Sequence, residues 1–198
     1  MEEFTQRQEE IIDKAIILID QKGIQGFTIK NLAKAIGITE GAIYRHFENK
    51  KAILSSILTL FREKRNYFYE STELQGKSTF FKMSSILSHY CTIFESNPAI
   101  VSVIFAEEIF QNDNELSQKV AEVIQENQAA MLSLIKEGMA NKEVREDLDE
   151  QMMVNCILGP FRLIVKMWKM DEFDISLKDN INAFLQYLDS TVFIHHEN

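Results

Sequence analysis

The chain has 198 residues, a net charge of −9 and 45% hydrophobic residues, enough for one large or two small domains with a real core, and too apolar for a disordered chain. Its charge divides unevenly: residues 1–66 hold 11 Lys or Arg against 9 Asp or Glu, and residues 67–198 hold 10 against 21, so a face for polyanions belongs at the amino-terminal end. No apolar run reaches the roughly 20 residues of a spanning helix, and Cys91 and Cys156 form no CxxC pair and follow no secretory signal, so a protein of the reducing cytoplasm, off the membrane, is expected.

Apolar positions recur at three and four residues and never in sustained alternation, which predicts an all-α fold of about nine helices. The first runs from about Thr5 to Lys22 with Ile11, Ile12, Ala15, Leu18 and Ile19 inward, and stops at Gly23. The second opens at Thr28, a hydroxyl that caps a helix and leaves backbone amides for phosphate, and puts Ile29, Leu32, Ala33 and Ile36 on one face. Gly37 supplies a tight turn by taking a positive φ, Ile38 plugs the corner, and Thr39 caps a third, short helix. Ile43 and Phe47 anchor that helix inward. Their spacing of four leaves Glu40, Ala42, Tyr44, Arg45 and His46 mostly on other sides, where long or hydrogen-bonding groups meet a groove and its flanking phosphates. Gly41 lets the backbone approach closely.

The fourth helix starts near Lys50 and continues through Ile53, Leu54, Ile57, Leu58 and Phe61 toward Tyr69. After a polar break at residues 71–78, the fifth carries Phe80, Met83, Leu87, Tyr90, Cys91 and Phe94. Asn97-Pro98 caps and opens the sixth. The seventh passes through Leu116, Val120, Val123, Ile124, Met131, Leu134 and Ile135 and ends around Gly138. Asp149 caps the eighth, in which Gly159-Pro160 predicts a bend. Ser176 caps the ninth, with Leu177, Ile181, Phe184, Leu185, Leu188 and Val192 on one stripe.

Residues 23–50 thus read as helix, tight turn and second helix, with six cations (Lys22, Lys30, Lys34, Arg45, Lys50, Lys51) against two acids (Glu40, Glu48) between Lys22 and Lys51. That is an arrangement for duplex DNA. The run Phe27-Thr28, Ala33, Gly37, Thr39, Gly41, Tyr44, His46-Phe47 and Lys50 resembles the amino-terminal domain of the TetR family of bacterial transcriptional regulators, in register over about the first 65 residues. The resemblance implies that Thr28, Tyr44 and Lys50 hold phosphates. It implies that Lys30, Thr39, Glu40, Ala42, Arg45 and His46 occupy positions that touch bases or backbone. Glu40 departs from a purely cationic face, since a carboxylate repels phosphate although it accepts from a cytosine amino group.

The domains expected are a helix-turn-helix domain at residues 1–48, a linking helix at 49–69, and a ligand-binding and dimerisation domain at 70–198. The resemblance implies a repressor that is a homodimer through its last two helices. It would bind double-stranded DNA at a palindromic operator and be released by an unidentified small-molecule effector. The alternatives are a helical ligand-binding or dimerisation protein that has lost DNA binding, and an all-helical enzyme, although no catalytic motif is found and no cofactor is expected. Phe61, Tyr90, Phe94, Phe105, Phe110, Met131, Met152 and Phe161 have two readings, as core or as the wall of an apolar cavity. Arg162 has three: exposure, pairing with Glu107 or Glu108, or an anionic ligand. Asn155 and His89 are ambiguous in the same way. The ligand candidates are therefore Phe61, Tyr90, Phe94, Phe105, Met131, Asn155 and Arg162. His195-His196 reads as a solvated tail without the further ligands a metal needs, and both cysteines read as small hydrophobes.

Overall fold

A computed structural model of the chain describes the backbone of residues 4–69, 74–105, 110, 113–172 and 174–194, and their side chains except those of 64–69. Among these residues the helices are α1 (Gln6–Gly26), α2 (Ile29–Ile36), α3 (Glu40–Tyr44), α4 (Lys50–Tyr69), α5 (Thr79–Ser96), α6 (Val101–Ile104), α7 (Asn114–Ala140), α8 (Glu150–Met170) and α9 (Leu177–Val192), with a 3-10 turn at Pro98–Ile100. The all-α expectation holds. Glu107, Glu108, His195 and His196 lie outside the described residues.

The chain divides into two compact units, Met1–Asn66 with Asn97–Val123, and Tyr67–Ser96 with Ile124–Asn198. In the first, α1 packs against α2, the 3-10 turn and α6. The core contains Ile11, Ile12, Ala15, Ile16, Leu18 and Ile19 of α1 with Phe27, Leu32, Ile43, Ile53 and Ile57, all at most 4% exposed. The described residues between 97 and 123, expected in the larger domain, thus group with the amino-terminal helices. Ser102 donates to Asp20 at 2.6 Å and Lys119 to Ser55 at 2.6 Å. Lys51 reaches Asp113 at 3.1 Å and Glu115 at 2.6 Å.

In the second unit α9 packs on α8 and α5, and α5 on α8. Tyr90, Phe94 and Phe161 form a cluster with centroids 6.1 to 6.5 Å apart. Gly138 sits where α7 meets the start of α5: a Cβ there would lie 2.5 Å from Val144 and 2.8 Å from Thr79, so only glycine fits. The chain beyond α9 is fastened to the α7–α8 connection by a bridge between Val144 and Phe193, and Phe193 meets the Phe80 ring edge-on at 5.2 Å.

The expected starts agree with the caps. Thr28, Thr39, Asp149 and Ser176 each accept a backbone N–H in the first turn of their helices. The first helix breaks at Gly23 as expected, where φ is 65°, and the chain then resumes a helical course to Gly26. Several details differ. Asn97 makes no side-chain cap, and the proline opens a 3-10 turn before the four-residue α6. Helix α7 continues past Gly138 to Ala140, because Gly138 serves close packing and the turn comes later, at Lys142 with φ 58°. Ile124, expected inward, is 39% exposed. Helix α8 runs from Glu150 to Met170 with Pro160 inside it.

Candidate nucleic-acid interface

Two short helices and the turn between them set the geometry. The Thr28 hydroxyl accepts from the Asn31 N–H at 3.1 Å, and the Asn31 amide donates to the Gly26 carbonyl at 2.9 Å, which ties α2 to the end of α1. Gly37 takes φ 80° and ψ 32°, and its N–H and that of Ile38 both donate to the Ala33 carbonyl, at 2.9 and 3.0 Å. A residue with a Cβ would be strained in that conformation. The Thr39 hydroxyl then accepts from the Ala42 N–H at 3.2 Å and starts α3.

Helix α3 is held by Ile43, fully buried, and by Phe47, 5% exposed, just beyond its end. It closes at Tyr44, so Arg45 and His46 lie in the following turn, with His46 and Phe47 N–H groups both donating to the Ile43 carbonyl. Tyr44 is 51% exposed. Thr28, Lys30, Thr39, Glu40, Gly41 and Arg45 are exposed, while Ala42, His46 and Lys50 are half-buried. A Cβ at Gly41 would meet only the Thr39 hydroxyl, at 4.0 Å. The space over Gly41 is thus left open by the protein, as a close approach to DNA requires.

The cations are not equivalent. No ion pair among the described residues engages Lys30, Lys34 or Arg45. Lys51 is held by Glu115 and Asp113, whose hydrogen bonds raise its pKa above the ordinary value. The Lys50 ammonium donates to the Ile24 carbonyl at 3.1 Å and stands 5.1 Å from the Phe27 ring centroid. Burial there lowers its pKa from the ordinary lysine value. Lys50 therefore braces the α1–α2 connection whatever else it holds. The sequence reading missed this, since residues 26 apart show no local pattern.

The residues named for a ligand fall in both units. Phe61 is buried and Phe105 half-buried in the first; Tyr90, Phe94 and Met131 are buried in the second, and Arg162 is half-buried there. The Tyr90 hydroxyl donates to the Asn127 amide oxygen at 3.4 Å, a partner outside the apolar pattern and so not foreseen. Asn155 is exposed on α8, as is Met152 at 59%. Cys91 is buried and its thiol is pushed up to about 12 by burial and the nearby Glu95 charge, whereas Cys156 is exposed rather than a small core hydrophobe. Among the described residues, no helix is long and apolar enough to cross a membrane.

Residues 11–57 match the domain described as bacterial regulatory proteins, tetR family. Residues 61–190 match the domain described as YsiA-like protein, C-terminal region. A fatty acid metabolism regulator protein of Bacillus subtilis is 29% identical over 188 residues, covering 92% of this chain and 94% of that protein. The crystal structure of the transcriptional regulator FadR from Bacillus subtilis in complex with stearoyl-CoA superposes with a TM-score of 0.75 at 27% identity, covering 94% of this chain and 99% of that one. The fatty acid degradation regulator FadR from Bacillus halodurans shares the fold, with a TM-score of 0.81 at 22% identity over 99% of this chain and 100% of that one.

Proposed function

The chain belongs to the TetR family of bacterial regulatory proteins, and from that premise we propose that its effector is a long-chain fatty acyl-CoA and its working form a homodimer on a palindromic operator. It is a DNA-binding transcriptional repressor controlled by a small-molecule ligand. The effector proposal is carried by the likeness, over nearly the whole length of both chains, to a regulator whose structure holds stearoyl-CoA. The chemistry of this chain agrees. Tyr90, Phe94, Phe161, Met83 and Met131 are all less than 10% exposed and supply aromatic and thioether surface for an acyl chain, and Arg162 follows Phe161 with a cation for the anionic end.

Dimerisation is supported by what the second unit leaves uncovered. Met152, Leu163, Met167 and Met170 are 43% to 65% exposed on α8, and with Cys156 and Gly159 they recur at three and four residues along one face. On α9 Tyr187 is 64% exposed. An apolar row of this kind on an otherwise acidic domain marks a surface that pairs, and a second copy of the same two helices is the partner the family resemblance implies. A two-fold pair answers the shortness of α3, because two half-sites are read together.

The mechanism is a shift of population: acyl-CoA prefers a conformation whose two recognition helices no longer match the half-sites, and a ligand with equal affinity for both conformations shifts nothing. The test is release of bound operator by saturated acyl-CoAs of increasing chain length, with CoA and free fatty acids as controls. Each buried CH2 is worth about 0.8 kcal/mol, so two more carbons should lower the releasing concentration about tenfold until the chain outgrows its site. Release by none of them refutes the effector assignment and leaves the family assignment standing.

A further inference from the structure

We infer that Gln8, outside the helix-turn-helix, is a positioning residue that sets the recognition turn on the body of α1. Gln8 belongs first to a cap: its backbone N–H donates to the Thr5 hydroxyl at 3.3 Å, and its side-chain oxygen accepts from the Thr5 backbone N–H and hydroxyl, both at 3.0 Å. The Thr5-x-x-Gln8 spacing is the signature of such a reciprocal cap. A backbone N–H only donates, so the group facing it is the amide oxygen, and the NH2 of Gln8 is turned to the other side. There it donates to the His46 carbonyl at 3.3 Å, across 38 residues of chain.

The location of that carbonyl gives the contact its consequence. Helix α3 has five residues and ends at Tyr44, too short to hold its own orientation. The His46 and Phe47 N–H groups are satisfied by Ile43, and Gln8 supplies a donor for the carbonyl between Tyr44-Arg45 and the start of α4. The amide is locked by the cap at one end and grips the recognition turn at the other. Phosphate contacts tolerate small misalignments, whereas base contacts demand register. Loss of the grip therefore costs discrimination more than bulk DNA affinity.

Two variants separate the grip from the cap. Gln8→Glu keeps an acceptor for Thr5 and so keeps the cap, but has no donor for His46; Gln8→Met loses both. The full-length protein and both variants are titrated with the operator selected from random duplex DNA and with an unrelated duplex of equal length, at one salt concentration. The ratio of the two affinities cancels the general effect of the added carboxylate. The ratio is expected to fall about fivefold in both variants, about what one net hydrogen bond is worth, while Gln8→Glu melts only about 2–4 °C below the wild type and stays fully folded at the assay temperature. An unchanged ratio in Gln8→Glu overturns the inference, as does a loss confined to Gln8→Met, which would assign Gln8 to the cap alone. A larger fall, which leaves Gln8→Glu partly unfolded at the assay temperature, overturns it too, since lost folding would then account for the lost discrimination. The inference rests on the DNA-binding reading, and the two fail distinguishably: a wild-type protein that selects no operator defeats both, whereas wild-type selection with an unchanged Gln8→Glu ratio defeats this one.

Discussion

Replacing Lys50 by Met keeps the aliphatic stem against Phe27 and removes the ammonium, which separates two roles that one residue is asked to fill. In the folded chain the ammonium donates to the Ile24 carbonyl at 3.1 Å and stands 5.1 Å from the Phe27 centroid. A hydrogen bond to a charged group contributes about 1.5–3 kcal/mol and a cation–π contact whose cation stays partly in solvent about 0.5–1 kcal/mol. Lys50 is half-buried and its pKa is lowered by burial, so solvent and the desolvation penalty offset much of this, and a net loss of about 1 kcal/mol is expected. For a chain of this size that lowers the melting temperature by about 2–4 °C. An ammonium has three donors, and the two left over by Ile24 are available for a phosphate. Measured against salt concentration, log affinity for duplex DNA should then lose about 0.9 of slope for each subunit bound. A lowered melting temperature with an unchanged slope would show that Lys50 is a brace and not a phosphate ligand. An altered slope with unchanged melting would show that the bond to Ile24 contributes nothing.

Three further outcomes are expected. Gly41→Ala finds room within the protein, its new Cβ meeting only Thr39 at 4.0 Å, so folding should be unchanged or stabilised by up to about 1 kcal/mol while operator affinity falls at least several-fold; unimpaired binding would remove Gly41 from the DNA face. In the native protein at neutral pH a thiol reagent should modify Cys156 and spare Cys91, whose thiol lies near 12. Labelling of Cys156 should slow as protein concentration rises and α8 is covered by a second copy, and a concentration-independent rate would argue against that interface. Glu143 has its carboxyl held below its ordinary range by Thr79, through its side chain and its N–H, with Lys82 adding to the effect. Its folded pKa is depressed, so its stabilisation is present above the unfolded value and lost as pH falls through the folded one. Glu143→Gln should therefore flatten stability against pH on the acid side of neutrality, and an unchanged acid limb in thermal melts would count against the contact.

What could be read from the residues was what depends on short spacings. The caps at Thr28, Thr39, Asp149 and Ser176, the left-handed Gly37 and the inward Ile43 and Phe47 all follow from chemistry within a few positions, and all are found. Contacts between distant residues left no such trace. Gln8 with His46, Lys50 with Ile24 and Tyr90 with Asn127 join polar groups 38, 26 and 37 positions apart, and a polar residue in a helix does not announce its partner. Apolar periodicity also says that a face is buried without saying by what. Met152 and Cys156 sit in an apolar pattern yet are exposed on this chain, and in the dimer proposed above a second copy would cover them.

The most direct test selects bound sequences from random duplex DNA with the purified protein at controlled salt, then adds stearoyl-CoA to the enriched complex. One inverted repeat should be enriched, with half-site centres about 34–36 Å apart or at a multiple of that distance, and it should be released by the acyl-CoA but not by CoA alone. Enrichment of no sequence even at low salt would contradict the reading of residues 28–50 as a DNA-binding surface.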